Sequence, residues 1–102
     1  MTDNHKARRE GMRWHMMNAL DKSRPIGLID QVLLDVMREI YPDASPNELH
    51  QQLDYLARRK MVELDKKPSG QWHACLSSLG VDLVEYTVDC REGIARPQKY
   101  WN

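Results

Sequence analysis

The sequence has little of what several functional classes require. Its 102 residues include no phenylalanine, only two cysteines and no net charge, since 15 basic side chains balance 15 acidic ones. No apolar run approaches the roughly 18 residues that cross a bilayer, and no charged-then-apolar leader opens the chain. We therefore expect neither a membrane span nor a signal peptide, and a cytoplasmic location. The length predicts a single domain over residues 1–102.

The reactive residues do not form a recognisable catalytic or metal-binding motif. Cys75 and Cys90 are too few for a disulfide framework, so reduced thiols are the simpler interpretation. With His73 and either His15 or His50 they could suggest a metal site, but no C-x-x-C spacing is present. The glycines are scattered, which excludes a glycine-rich phosphate loop. The sequence therefore predicts no enzyme, no cofactor and no bound metal.

The most informative stretch is residues 45–76, where the hydrophobic period changes. Ser45 and Glu48 carry the two halves of a capping box, which marks the start of a helix. Leucines then recur at helical spacing and predict a helix over residues 46–60. Residues 62–76 alternate between apolar and polar on both sides of a Lys-Pro-Ser-Gly turn, which predicts a β-hairpin.

Periodic patterns predict three more helices. The first spans residues 8–21, behind a polar and frayed segment 1–7. The last spans residues 79–90, with Ser77 or Ser78 as its cap. The second has a wide apolar face that we expect to be buried along its length. The residues of that face are Leu28, Ile29, Val32, Leu33, Val36, Met37 and Ile40.

The order of these elements predicts the fold class. A short strand at Ile26-Gly27 would complete a sheet with the hairpin. Residues 41–44 contain a proline that cannot continue a helix, so they join two helices by a tight turn. The predicted order α-(β)-α-α-β-β-α is mainly helical with a small hairpin, an α+β domain. Its body covers residues 8–90, and we expect the tail 91–102 to pack on the body or on a partner subunit.

Residues 53–80, LDYLARRKMVELDKKPSGQWHACLSSLG, resemble the recognition helix, wing and last helix of small prokaryotic winged helix-turn-helix regulators, with an ArsR- or MarR-like wing. The C-terminal GIARPQKYW is similar to short proteins of this kind in Mu-like phages. The resemblance implies a winged-helix fold, double-stranded DNA as the partner, and a homodimer formed by the first helix, the last helix and the tail. Aromatic anchors are expected in that interface. The candidates are Trp14, Tyr86, Tyr100 and Trp101.

The outer face of the helix over residues 46–60 predicts base recognition in the major groove. Amide side chains can bind adenine through two hydrogen bonds, and arginine can bind guanine in the same way. The lysine-rich wing over residues 66–71 is suited to the phosphate backbone. Arginines of the first helix, at positions 8, 9 and 13, are either further phosphate contacts or solvent charges. The predicted DNA-binding residues are Asn47, Gln51, Tyr55, Arg58, Arg59, Lys66, Lys67, Ser69 and Gln71.

A transcriptional regulator is one interpretation of this pattern, and a protein-interaction module is the other. Asp54 lies on the same outer face, where its carboxylate would repel phosphates unless it accepts from a cytosine amine. The neutral total charge does not indicate a nucleic-acid partner either. A winged-helix module in a phage or prokaryotic assembly, without DNA binding, fits the same order of elements.

Overall fold

The computed structural model describes residues 2–99 as four helices around a small antiparallel sheet. The elements follow the predicted order, and the α+β class is confirmed, with about 50% helix and 12% strand. No helix in this part of the chain is both long enough and apolar enough to span a bilayer. The elements are Thr2–Lys22 (α1), Leu28–Ile29 (β1), Asp30–Arg38 (α2), Pro46–Arg58 (α3), Val62–Lys66 (β2), Trp72–Leu76 (β3) and Ser78–Val84 (α4).

Strand β3 is the centre of the sheet, between β1 and β2. The predicted hairpin is present, with Val62 opposite Leu76 in an antiparallel pair. The short first strand was predicted at Ile26-Gly27 but lies two residues later, where Leu28 pairs with Ala74. The shift has a local cause. Gly27 has a φ of 81°, so this residue belongs to a turn rather than to extended backbone.

The core consists of the inward faces of the first three helices together with Leu83 of α4 and with Val62 and Ala74 of the sheet. Methionine and leucine dominate it, and the flexible methionine side chains fill the gaps between helices that cross. The helical stripes predicted for α1 and α3 are therefore confirmed as core. The fully buried members are Met12, Met16, Met17, Leu20, Leu33, Met37, Leu49, Leu53, Leu56 and Leu83.

The second helix differs from its prediction. Leu33 and Met37 are fully buried, but Val32, Val36 and Ile40 are 41%, 38% and 45% exposed. The expectation that the whole apolar face is buried on one helix is therefore wrong. Leu28 and Ile29 form β1 instead, and Ile40 follows the end of α2. The body covers only the side of α2 that carries Leu33 and Met37, and the neighbouring apolar stripe faces solvent.

Helix ends also differ from their predictions. Helix α1 begins at Thr2, so the expected frayed segment is helical from residue 2 onward. Helix α4 begins after Ser77, whose side chain accepts from the amide of Gly80, as one of the two predicted caps. It ends at Val84 rather than near residue 90, because Tyr86 adopts a φ of 62°, which no helix can continue.

Helix α3 ends two residues earlier than predicted, in a Schellman motif. The amide of Met61 donates to the carbonyl of Leu56, and the amide of Lys60 donates to that of Ala57. This motif places Lys60 in the left-handed region at φ 66°, a position usually occupied by glycine. Lys60 is therefore outside the helix and carries conformational strain from its Cβ atom.

Replacing Lys60 with glycine should raise the free energy of unfolding by about 1 kcal/mol, because glycine adopts this φ without strain. Urea denaturation at neutral pH measures the change. Lys60→Ala is the matched control, since it removes the long side chain but keeps the Cβ atom. A glycine variant no more stable than the alanine variant would contradict the left-handed conformation.

Candidate nucleic-acid interface

The N-terminus of α3 is fixed by a cap and by an arginine of α1. Ser45 accepts a hydrogen bond from the amide of Glu48 at 3.1 Å, which confirms one half of the predicted capping box. The carboxylate of Glu48 turns to Arg8 instead, accepting at 2.7 Å and 3.0 Å. Arg8 also donates to Asp43 at 2.9 Å, and this guanidinium lowers the pKa of that carboxyl group. Arg8 is therefore occupied within the chain.

A buried cation, Arg13, lies beside the middle of α3. Its side chain is 9% exposed, and it donates to the side-chain oxygen of Gln52 and to the carbonyl of Gly93, each at 2.8 Å. The guanidinium lies 3.5 Å from the ring centroid of Tyr55. Burial lowers the pKa of Arg13, but a guanidinium still remains protonated at neutral pH. Neutral oxygens and a π-face therefore hold this buried charge.

The segment after α4 returns to the same place. Arg59 donates to the hydroxyl of Tyr55 at 2.7 Å and to the carbonyl of Glu92 at 2.8 Å. Gly93 has a φ of 106° and lies so close to the Tyr55 hydroxyl that a Cβ atom would collide with it. Ile94 is then buried in the core, 6% exposed. The body therefore occupies one edge of α3 with its own C-terminal segment.

The opposite edge of α3 contacts the hairpin. The ring of His50 stacks on Trp72 with centroids 4.0 Å apart, and its Nε2 atom lies 2.7 Å from a carboxylate oxygen of Asp30. Lys66 pairs with Asp54 at 2.9 Å and lies 4.3 Å from the ring centroid of Trp72. These contacts fix the hairpin against the helix that precedes it.

Between these two edges, α3 has a narrow open face. Asn47, Gln51 and Arg58 are exposed on it, as the sequence predicted. Tyr55 and Arg59 were also predicted to contact DNA, but both are half-buried and occupied by the body. The reason is that their edge of α3 faces the C-terminal segment, which helical periodicity alone does not reveal.

The wing residues are exposed, but their charges are partly neutralised. Lys67 pairs with Asp65 at 2.6 Å, in addition to the pair between Lys66 and Asp54. Ser69 and Gln71 are exposed at the turn between β2 and β3. Exposed pairs of this kind contribute about 0–1 kcal/mol, so the lysines can change partners at little cost.

Uncompensated positive charge gathers instead around Tyr55. Among the described side chains, those of residues 4–99, no ion pair involves the four arginines 9, 13, 58 and 59, which we call the arginine cluster. Three of these guanidinium groups lie 3.5 Å, 5.9 Å and 5.5 Å from the centroid of the Tyr55 ring. Arg9 lies one helical turn before Arg13, and its charge further lowers the pKa of that residue. The cluster places four guanidinium groups on this side of the molecule, with the carboxylate of Glu10 close enough to oppose this lowering of the pKa of Arg13.

An open cleft of about 490 Å³ joins the cluster to the open face of α3. The carboxylates at its rim are those already paired with Arg8. The cleft leads from Arg9 on α1 to Gln51 on α3. The residues that line it are His5, Arg8, Arg9, Asp43, Glu48, Gln51 and Gln52.

Sequence reasoning missed the role of Arg13 and Gly93. Arg13 was considered a phosphate contact or a solvent charge, although it directly follows the core residue Met12 in the first helix. Its position beside the apolar face of α1, which carries Met12 and Met16, was a usable signal, because an arginine at the border of an apolar face is often partly buried. The partners Gln52 and Gly93 carried no comparable signal, since they are distant in sequence.

Comparison with known proteins gives no family. No protein-family model matches the sequence, and no curated protein matches it significantly. Among the described side chains, no group of three or more histidine, cysteine and acidic residues is placed to hold a metal ion. Burial raises the pKa of the Cys75 thiol, which makes this thiol less reactive.

Replacing Arg13 with methionine should lower the free energy of unfolding by about 2 kcal/mol, because Gln52 and Gly93 would each keep an acceptor without its donor. Chemical denaturation measures the loss. Arg13→Lys should not restore stability, since an ammonium group cannot reproduce the planar stack and the two donors. Arg9→Met is the exposed control and should change stability by less than about 0.5 kcal/mol. Equal stability of both methionine variants would show that Arg13 does not hold these elements together.

Proposed function

We propose that the chain is a winged helix-turn-helix protein that binds double-stranded DNA and acts as a transcriptional regulator in the cytoplasm. The observation that carries the proposal is the open face of α3, where Asn47, Gln51 and Arg58 are exposed beside the arginine cluster. The short connection between α2 and α3, the hairpin after α3 and the strand order β1-β3-β2 support a winged-helix arrangement.

The open face has the chemistry and the length for base recognition. Asn47 and Arg58 are eleven positions apart, which corresponds to about 16 Å along the helix axis. This length exceeds the width of the major groove, about 12 Å, so the open face is long enough to meet bases across the groove. The amides of Asn47 and Gln51 suit adenine, and the guanidinium of Arg58 suits guanine. We assign base contacts to these three residues, and no base contact to Tyr55 or Arg59.

The backbone contacts come from both sides of α3 in this proposal. Arg9 is exposed and unpaired within residues 2–99, at the mouth of the cleft, where a phosphate would neutralise it. On the other side the wing offers Lys66, Lys67, Ser69 and Gln71. The two lysines would exchange their carboxylate partners for phosphates, because exposed ion pairs are weak.

A homodimer through α1, α4 and the tail remains part of the proposal. Trp14 and Tyr86, two of its expected anchors, contact each other edge to face within one subunit, with centroids 6.2 Å apart. They would therefore offer only their outer edges to a partner. The other two anchors, Tyr100 and Trp101, lie outside the described residues.

The wing favours the second candidate, a protein-interaction module of a phage or prokaryotic assembly that does not bind DNA. Asp54 and Asp65 neutralise both of its lysines, whereas a phosphate-binding wing usually keeps its cations free. The two candidates differ in their response to salt. DNA binding releases counterions from each neutralised phosphate, and protein binding through apolar contacts does not.

Binding to a random duplex should weaken by about 40-fold between about 50 and about 200 mM salt, as three cationic phosphate contacts, Arg9, Lys66 and Lys67, require. Fluorescence anisotropy with a labelled duplex measures this dependence. The variant Arg9→Ala removes one of these phosphate contacts and should weaken binding. Lys22→Ala is its charge-matched control, because Lys22 is exposed about 20 Å further along α1, away from the proposed contacts. Absence of binding at about 50 mM salt would favour the interaction module.

Substitutions on the two kinds of contact should differ in specificity. Arg58→Ala should weaken binding by about 1–3 kcal/mol and relax the preference at one base pair. Arg9→Ala should weaken all duplexes alike and reduce the salt slope by about one. A binding selection on randomised duplexes, repeated for each variant, separates the two effects. If both variants shift every duplex equally, α3 does not read bases.

A further inference from the structure

The exposed stripe on α2 is a second surface with no partner in the described part of the chain. Val32 and Val36 lie one turn apart on α2, and Ile40 follows four residues later in the turn just after the helix, so the three form one line about 12 Å long. They account for three of the five exposed large apolar side chains in residues 2–99. The other two, Ile26 and Leu79, are isolated in sequence from this line. A line of apolar side chains on one helix is typical of a protein interface rather than of scattered surface residues.

Acidic side chains border this stripe on its solvent side. Asp35 and Glu39 are exposed and take part in no ion pair within residues 2–99. On a helix they lie about 20° to 60° from Val32, on the side away from the buried residues Leu33 and Met37. Arg38 is also exposed beyond Asp35, and its Nε donates to the carbonyl of Ala44 at 2.8 Å. The two carboxylates leave this edge with a net negative charge, and the body of the protein closes the other side of the apolar line.

This charge pattern argues against an antiparallel second copy of the chain as the occupant. In that pairing, a two-fold axis perpendicular to both helices would place α2 on α2, with the stripe as the seam. The same flank of each helix would then meet, which places Asp35 and Glu39 opposite their own equivalents. Such like-charge contacts oppose association. A partner with positive charge beside its apolar line has the complementary pattern.

We infer that α2 is a docking surface for a basic amphipathic helix of another protein. The apolar line of that helix would pack on Val32, Val36 and Ile40, and its lysine or arginine flank would face Asp35 and Glu39. The inference depends on α2 alone and not on DNA binding, because the open face of α3 carries none of these residues. The protein would thus recruit a basic partner whether or not it reads DNA.

Two synthetic helical peptides test this inference on the full chain. Both carry the same leucine line over about four turns, and one is flanked by lysine and the other by glutamate. In a ¹⁵N-labelled NMR titration, the lysine-flanked peptide should shift amides within residues 31–40 and bind about tenfold or more tightly than the glutamate-flanked peptide. Val36→Lys should weaken that binding about tenfold or more, since it removes the centre of the line. Leu79→Lys, at an exposed apolar residue outside the stripe, should leave binding unchanged.

Charge reversal provides the decisive comparison. The double variant Asp35→Lys, Glu39→Lys should bind the glutamate-flanked peptide more tightly than the lysine-flanked one. Thermal melting confirms that each variant is folded, and the altered side chains are all exposed. The inference is overturned if the charge reversal does not invert the preference, or if the shifts fall mainly outside α2. It is also overturned if sedimentation shows a dimer of the chain that Val36→Lys dissociates.

Discussion

The buried guanidinium of Arg13 joins three parts of the chain that are distant in sequence. It donates to Gln52, 39 residues away, and to Gly93, 80 residues away, and its flat face covers the ring of Tyr55. Burying a cation without a carboxylate is costly, so its two hydrogen bonds and the ring contact must offset a large loss of hydration. The position of α3 relative to α1 and the C-terminal segment depends on this arrangement.

The same arrangement determines which side of α3 is open. Arg13 and Arg59 hold one edge of the helix, while the stack of His50 on Trp72 holds the other edge against the hairpin. Only the strip between these edges is free to meet a ligand. A helix that is fixed on both sides loses little conformational freedom when a ligand binds. Such rigidity suits a binding face whose side chains must match their ligand closely in space.

Local signals in the sequence were sufficient for most of the fold. Ser45 marked the start of α3, and alternation with a Pro-Ser-Gly turn marked the hairpin, because both depend on neighbouring residues. The ends of α3 and α4 were harder to predict, since Lys60 and Tyr86 adopt positive φ at positions where the usual glycine signal is missing. The final contacts of each helix, rather than its composition, decide where these ends fall.

Long-range packing was not predictable from one sequence. Periodicity indicated a helix at α2, but it wrongly included Leu28 and Ile29, which form β1. It also could not show that the body covers Leu33 and leaves Val36 exposed. In the same way, Tyr55 belonged to the predicted outer face by its helical angle. The C-terminal segment reaches it from 38 positions further along the chain, at Gly93, and removes it from that face.

The most direct test of the account is an NMR map of the full chain with a random duplex at about 50 mM salt. We predict that the largest chemical-shift changes fall on the amides of residues 47–58 and on the side-chain Nε–H of Arg9, with smaller changes at the wing. Changes confined to α2 or to the wing, or a spectrum that DNA leaves unaltered, would contradict the claim that the open face of α3 is the binding surface.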